Sequence, residues 1–272
     1  MDKPNEFSFG DDSVAKTYDT VLVPALFKPW TLQLIDEFQP WSGKKVLDLA
    51  CGTGVVTKEL ASCVGSNGRV YALDISSQML DLAKSNCLEW SHNVEFIVGS
   101  ADQLEYPDNF LDTIVCQQGF QFFPDKKSAA NEIYRVLKPA GEAIISTWCP
   151  VSECEYFGAI YETLLSMNQH ETAQLIRVPF DFMSPDALRE AFMDSGNANI
   201  QIKKQERKLF VGKNIDTAIE FAYATPIGPK LKAFSIDNKN EFKEILSKKI
   251  RILLKSDGSM GRMVSNVLIL KK

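Results

Sequence analysis

Between residues 44 and 148 the chain alternates short β-branched apolar runs with segments whose apolar positions recur at helical spacing. KKVLDLA (44–50) is a buried-strand pattern with the turn CGTG directly behind it, and VVTKELASCV then carries a helical apolar face up to Gly65. GRVYALDIS (68–76) reads as a second strand and SQMLDLAKSNCLEW as a second helix. NVEFIVGSAD (93–102) and LDTIVCQQ (111–118) read as the third and fourth strands. KKSAANEIYRVL is a helix halted by Pro139 and Gly141, and GEAIISTW (141–148) is a fifth strand. Strands that alternate with helices predict βαβ units and a mainly parallel sheet covered on both faces.

The flanks extend this frame. Residues 7–40 read as largely helical, with an apolar face broken by prolines, and Ser184 and Pro185 fit N-cap and first position of a helix ending near Gly196. IQIKKQERKLFV (200–211) alternates like a strand and MVSNVLILKK (263–272) is a final one. Helical stretches near 216–224 and 240–254, separated by TPIGP, lie between them. The expected organisation is an N-terminal helical cap (1–41), a core (42–150), and a remainder (151–272) that completes the sheet and carries an inserted helical lid (212–262). The fold class is α/β: a Rossmann-like doubly wound sheet, mainly parallel with an antiparallel last strand, with a helical lid.

Composition narrows the class without changing it. With 272 residues, 45% of them apolar, the chain can bury a sizeable core. MDKPNEFSFGDDS has neither the basic start nor the apolar run of a signal peptide, and no segment reaches the roughly 18 apolar residues of a membrane span, so a cytoplasmic protein is expected. The six cysteines show no metal-ligand spacing and there are only two histidines, which predicts reduced thiols and no metal site. Charge is uneven: residues 1–200 hold 14 Lys/Arg against 28 Asp/Glu, and residues 201–272 hold 16 against 7. A basic region of this kind can dock on RNA or anionic lipid. Its lysines are spread along helices and strands, which favours a solvated or internally paired face.

The turn CGTG brings the chemistry. Gly52 and Gly54 allow a tight strand-to-helix turn against which a ligand can lie, and Asp74 closes the next strand, where a carboxylate can accept hydrogen bonds from a ribose diol. Strand, turn, helix, strand and aspartate in that order form a nucleoside site. A dinucleotide fingerprint would place a third glycine where Thr57 stands, so a dehydrogenase fits poorly. Asp48 would repel a pyrophosphate and suits a cation, such as an ammonium or a sulfonium.

VLDLACGTG, ALDIS, GSADQLEYPDNFLDTIV and RVLKPAGEAIIS resemble, in order, the motifs of the class I S-adenosylmethionine-dependent methyltransferases, in the small-molecule branch that includes the ubiquinone/menaquinone-biosynthesis-like (methyltransferase type 11) enzymes. The resemblance covers about residues 40–150. It implies S-adenosyl-L-methionine as cofactor and S-adenosyl-L-homocysteine as product. It places Asp48, Ala50, Gly52 and Gly54 around the methionine moiety and Asp74 on the ribose hydroxyls. Ile75 and Met79 would then lie against the adenine, Ala101 and Asp102 at its edge, and the Gln117 carbonyl near the ammonium. Met79 and Ile75 read equally well as packing residues.

CQQGFQFFPD (116–125) follows the fourth strand and lacks the Asn/Asp-Pro-Pro-aromatic string of enzymes that methylate exocyclic amines. It has no acidic or basic group before Asp125, so it shapes a substrate and does not deprotonate it. Gln118, Gln121 and Phe122 are its candidate pocket residues; Phe122 and Phe123 also suit packing under the next helix. Tyr223, with Phe221, Pro226 and Ile227, could line the pocket from the lid. His170 and Tyr18 are the candidates for a base, and Cys149 and Cys154 make poor nucleophiles. The expected function is methyl transfer to a small, partly apolar molecule at O, N or C. Two alternatives are a methyltransferase or cofactor-binding protein that docks on RNA or anionic lipid through its basic C-terminal region, and a catalytically idle interaction protein.

Overall fold

The computed structural model describes residues 12–181, 184–196, 199–212 and 214–272. Seven strands form one sheet: β1 (Lys45–Leu49), β2 (Arg69–Asp74), β3 (Val94–Val98), β4 (Leu111–Gln117), β5 (Leu137–Trp148), β6 (Asn199–Lys208) and β7 (Arg262–Lys271). Their order is β3-β2-β1-β4-β5-β7-β6. β3 through β5 are parallel, so their carboxyl ends share one edge, and the chain reverses direction across the sheet between β1 and β4, the switch point where such folds bind ligands. β7 runs antiparallel to β5: Lys272 pairs with Ala140 and Gly141 at one end, and the Cys149 amide donates to the Val264 carbonyl at the other. The expected doubly wound sheet with an antiparallel last strand is present.

The chain divides into two compact units. The first comprises residues 27–147, the described part of 183–205, and 266–272, and holds the body of the sheet. On one face, Val46, Val115, Ile144 and Val267 pack with Leu34 and Ile35 of the helix Lys28–Glu37 and with Val56, Leu60 and Val64 of the helix Val55–Val64. That second helix owes its form to its pattern: Val56, Leu60 and Val64 recur every four residues and are buried, while Lys58 and Ser62 are exposed. The helix Lys126–Val136 is capped by Asp125, whose carboxylate accepts from the Ser128 amide at 2.9 Å, and it buries Ala129, Ala130 and Ile133.

The second unit comprises residues 12–26, 148–181 and the described part of 206–265. The helices Glu155–Ser166, His170–Arg177, Ile215–Ala224, Gly228–Ala233 and Ile236–Arg251 enclose Tyr156, Phe221, Phe242, Leu246 and Ile250. The Tyr156 hydroxyl donates to the Ala218 carbonyl, and its ring meets Phe157 and Phe221 edge-on. Some of the basic residues of this stretch are paired inside the unit: Lys208 with Asp257, Lys243 with Asp216, Lys249 with Glu162 and Arg262 with Glu206. No helix among the described residues is long and apolar enough to cross a membrane.

Several boundaries differ from expectation, each for a local reason. The second helix ends at Asn86, and Leu88–Trp90 form a separate 3-10 turn, because Cys87 leaves helical geometry at φ −112°, ψ 17°. β5 begins at Leu137, four residues before Gly141: Leu111 pairs with Leu137 and Thr113 with Glu142, so Pro139, Ala140 and Gly141 bulge outward from a strand that has already started. The helix at Pro185 stops at Ala191, with turns continuing to Gly196. Part of TPIGP enters the short helix Gly228–Ala233, whose proline sits in the first turn, where its missing N–H costs nothing. In the N-terminal segment the helix is continuous but widens to π geometry over Tyr18–Phe27, around Pro24, which cannot donate an intrahelical bond. Residues 7–11 lie outside the described residues.

Candidate active site

At the β1 carboxyl end the backbone enters the left-handed region three times in five residues, at Ala50 (φ 60°), Gly52 (φ 55°) and Gly54 (φ 85°). For alanine this costs about 1–2 kcal/mol, and it bends the chain sharply from strand to helix. The two glycines differ in use. A Cβ on Gly54 would approach Ala83 and Cys87 within 3.1–3.3 Å, so this glycine lets two helices close up. A Cβ on Gly52 would meet nothing within 4 Å, so its side faces open space.

Asp74 locks this turn. Its Oδ2 accepts from the Gly52 amide at 2.8 Å and its Oδ1 from the Ser76 amide at 2.9 Å, which uses two of about four acceptor positions on the carboxylate. Burial raises its pKa, opposed by those amides and that of Ile75. Asp48, on β1 just before this turn, is 1% exposed and accepts from the Thr57 hydroxyl. Burial pushes its carboxyl up to about 7; the Thr57 hydrogen bonds oppose the shift, and the negative charge of Asp74 adds to it. The Thr53 hydroxyl, inside the turn, is buried and has no hydrogen-bond partner among the described residues.

Two acids crowded in a dry turn favour a cation, and the acceptor capacity left on Asp74 suits a diol. Next to them Ile75 is 75% exposed and Val98, opposite Asp74 in register, 61% exposed, an apolar margin for a flat base. Val98 escapes sequence reading because VEFIV looks like uniform core. Ala101 is buried and Asp102 partly exposed, after a short bridge between Ser100 and Gln103. Met79 is 4% exposed and packs inside its helix face. The residues present thus fit S-adenosylmethionine: a cationic amino acid end, a ribose and a base.

At the carboxyl ends of β4 and β5 the chemistry changes. The Gln117 side chain is fixed by Thr31, its Nε2 3.0 Å from the hydroxyl, and by the Phe27 carbonyl at 3.4 Å. Gln118 takes φ 57°, and its amide donates to the Ser146 carbonyl at 2.9 Å. Gln118 and Gln121 are both buried. Phe120 is fully buried against Phe123 and Phe192, whereas Phe122 is 38% exposed, so the aromatic string divides between core and surface. Gly119 is required by proximity: a Cβ there would lie 2.6 Å from the Ala50 Cβ, which brings the β4 lip against the β1 turn. The first acid and base after this lip are occupied locally, Asp125 as helix cap and Lys126 donating to the Phe123 carbonyl at 2.7 Å.

The remaining candidates lie in the second unit. Tyr18 is partly buried at the start of the π-helical stretch, and His170 is exposed at the first position of its helix. Tyr223 stands edge-on to Phe242 at 6.2 Å, and Phe221 and Ile227 are buried there. Cys154 is fully buried, and desolvation pushes its thiol up to about 12, which leaves little thiolate for a nucleophile.

Comparison with known proteins agrees with this geometry. The model of a methyltransferase domain family matches residues 46–141. A demethylmenaquinone methyltransferase of Geobacillus sp. is 30% identical over 206 residues, covering 71% of this chain and 88% of that protein. One of Lactococcus lactis is 34% identical over 207 residues, covering 71% and 82%. Among solved structures, phosphoethanolamine N-methyltransferase 2 of Haemonchus contortus, in complex with phosphomonomethylethanolamine and S-adenosylhomocysteine, superposes with a TM-score of 0.63 at 18% identity. It covers 96% of this chain and 57% of that one, a likeness of fold.

Proposed function

The chain belongs to the class I S-adenosylmethionine-dependent methyltransferases that act on small molecules, and we propose that its acceptor is a neutral, oxygen-bearing aromatic molecule of the quinol type, methylated at a ring carbon. The observation that carries this reading is the neutral lip: residues 116–124 present glutamines and phenylalanines and no acid or base. A phosphorylated amine would call for cationic partners, and the lysine nearest in sequence, Lys126, is tied to the Phe123 carbonyl. Named relatives that methylate demethylmenaquinone point the same way.

When bound, S-adenosylmethionine supplies an electrophilic methyl group on a sulfonium. The chain's own residues supply position. Asp74 holds the ribose with its free acceptor capacity while its other lone pairs keep the Gly52 turn in place. Asp48, together with Ala50, Gly52 and Gly54, receives the cationic amino acid end, and Asp102 and Ala101 meet the base. Gln117, pinned by Thr31, marks where cofactor and acceptor meet. With the cofactor bound, the lip would align the ring carbon, activated by its neighbouring oxygen, with the methyl group: the carbon–carbon bond would form as the methyl–sulfur bond breaks, and the ring proton would leave to water.

Mass spectrometry tests the reading. The protein incubated with S-adenosylmethionine and a reduced, short-chain demethylmenaquinone should transfer one methyl to carbon and leave phosphoethanolamine unmodified. Methylation of phosphoethanolamine and none of the quinol would contradict it.

A further inference from the structure

One buried polar group on the acceptor side has no hydrogen-bond partner among the described residues. Ser146 lies near the carboxyl end of β5, 4% exposed, and its hydroxyl makes no hydrogen bond among the described residues. In register it stands beside Gln117, as Ile144 stands beside Val115 two residues earlier. Val115 and Ile144 belong to the core cluster that includes Leu34 and Ile35, so side-chain alternation puts Gln117 and Ser146 on that same face, at the rim where the apolar core gives way to the ligand edge. Adjacent strands are about 4.8 Å apart, and Gln117 is already held by Thr31 and the Phe27 carbonyl, so Ser146 is left with its hydroxyl next to a rigid amide.

A buried hydroxyl without a partner is a standing cost to the fold, and a ligand that accepts its hydrogen bond removes that cost. The surroundings restrict that ligand. The face is apolar up to this rim, Ser146 and Gln117 are both uncharged, and a hydroxyl can donate to a carbonyl or phenolic oxygen. We propose that Ser146 is a specificity-determining residue that donates a hydrogen bond to the ring oxygen of the acceptor and so selects an oxygenated ring over a plain aromatic of the same size. This rests on the reading of the acceptor as a neutral oxygen-bearing aromatic.

The test uses the full chain loaded with S-adenosylhomocysteine, and measures binding of 1,4-dihydroxynaphthalene and of naphthalene to the wild type, Ser146→Ala and Ser146→Thr. The expected result is that Ser146→Ala weakens the dihydroxy compound about fivefold to tenfold, the range of one neutral hydrogen bond, and leaves naphthalene and S-adenosylhomocysteine unchanged. Ser146→Thr, which keeps the hydroxyl, should retain part of the preference. Thermal stability supplies the readout that a merely structural role would not give: removing an unpartnered hydroxyl should leave the melting temperature of Ser146→Ala equal to or above that of the wild type. Equal affinity of wild type and Ser146→Ala for the dihydroxy compound, or a lowered melting temperature with unchanged preference, overturns the role of Ser146 and leaves the acceptor class standing. Failure of the wild type to bind either ring overturns the acceptor class, and the role of Ser146 with it.

Discussion

The two halves of one sheet edge solve opposite problems. At the β1 and β2 ends, two carboxylates, Asp48 and Asp74, sit in a strained glycine turn where burial raises the pKa of both. At the β4 and β5 ends the polar groups are neutral: Gln117, Gln118 and Ser146. The first half holds two acids in a setting that disfavours their charge and suits a cationic ligand, and the second holds neutral groups, with the Ser146 hydroxyl lacking a hydrogen-bond partner among the described residues. A transferase needs both, because one ligand is common to the whole family and the other is particular to each enzyme. Charge is a strong and general handle for the first, and shape with neutral donors discriminates the second.

The largest expected effect that separates the halves comes from Asp48→Asn. Because the carboxyl of Asp48 is raised from its ordinary value near 4 to about 7 in the folded chain, the fold holds more protons than the unfolded chain between those values. Stability of the ligand-free protein therefore falls as pH rises from about 4 to 7, and at about 1.4 kcal/mol per pH unit the upper bound is about 4 kcal/mol. Asparagine keeps an acceptor for Thr57 without the charge. Thermal melts should show Asp48→Asn more stable than wild type at pH 8, with the advantage shrinking to about 1.4 kcal/mol at pH 5 and vanishing near pH 4, and with affinity for S-adenosylhomocysteine reduced. A variant no more stable at pH 8 would mean that Asp48 carries no buried charge.

A smaller effect tests where the halves touch. Gly119→Ala places a methyl group within contact distance of the Ala50 Cβ and the Cys116 sulfur, two atoms with little room to move. Overpacking of this kind costs about 1–3 kcal/mol, so the melting temperature should drop by several degrees. S-adenosylhomocysteine binding should weaken along with it, since Ala50 belongs to the turn. A drop in stability with cofactor binding intact would show that the lip and the turn are mechanically separate.

How far the sequence reveals this protein differs along the same line. β1 to β4, the glycine turn and Asp74 are legible because local pattern dictates them: apolar runs, turn residues and the strand-end aspartate lie within about thirty residues of one another. The start of β5 is not, because Pro139 and Gly141 are turn residues by every local rule and are accommodated here in a bulge by pairing with a distant strand. The partners that complete the site are also invisible in sequence. Thr57 reaches back across the glycine turn to Asp48 on β1, Thr31 reaches Gln117 across 86 residues, and Ser146 becomes significant only through its register with β4. In the phenylalanine string, spacing gives no sign that Phe120 goes inward and Phe122 outward, since both precede a helix whose packing decides the matter.

The central claim is that the β1 and β2 ends form the cofactor site, with Asp74 as its polar anchor. Calorimetric titration of the folded protein with S-adenosylhomocysteine, wild type beside Asp74→Ala, tests it most directly. Loss of two hydrogen bonds to a charged acceptor, at about 1.5–3 kcal/mol each, predicts binding by the wild type and a weakening of about a hundredfold or more in the variant, in a protein that still melts cooperatively. Absence of binding by the wild type, or equal affinity in the two proteins, would contradict the account.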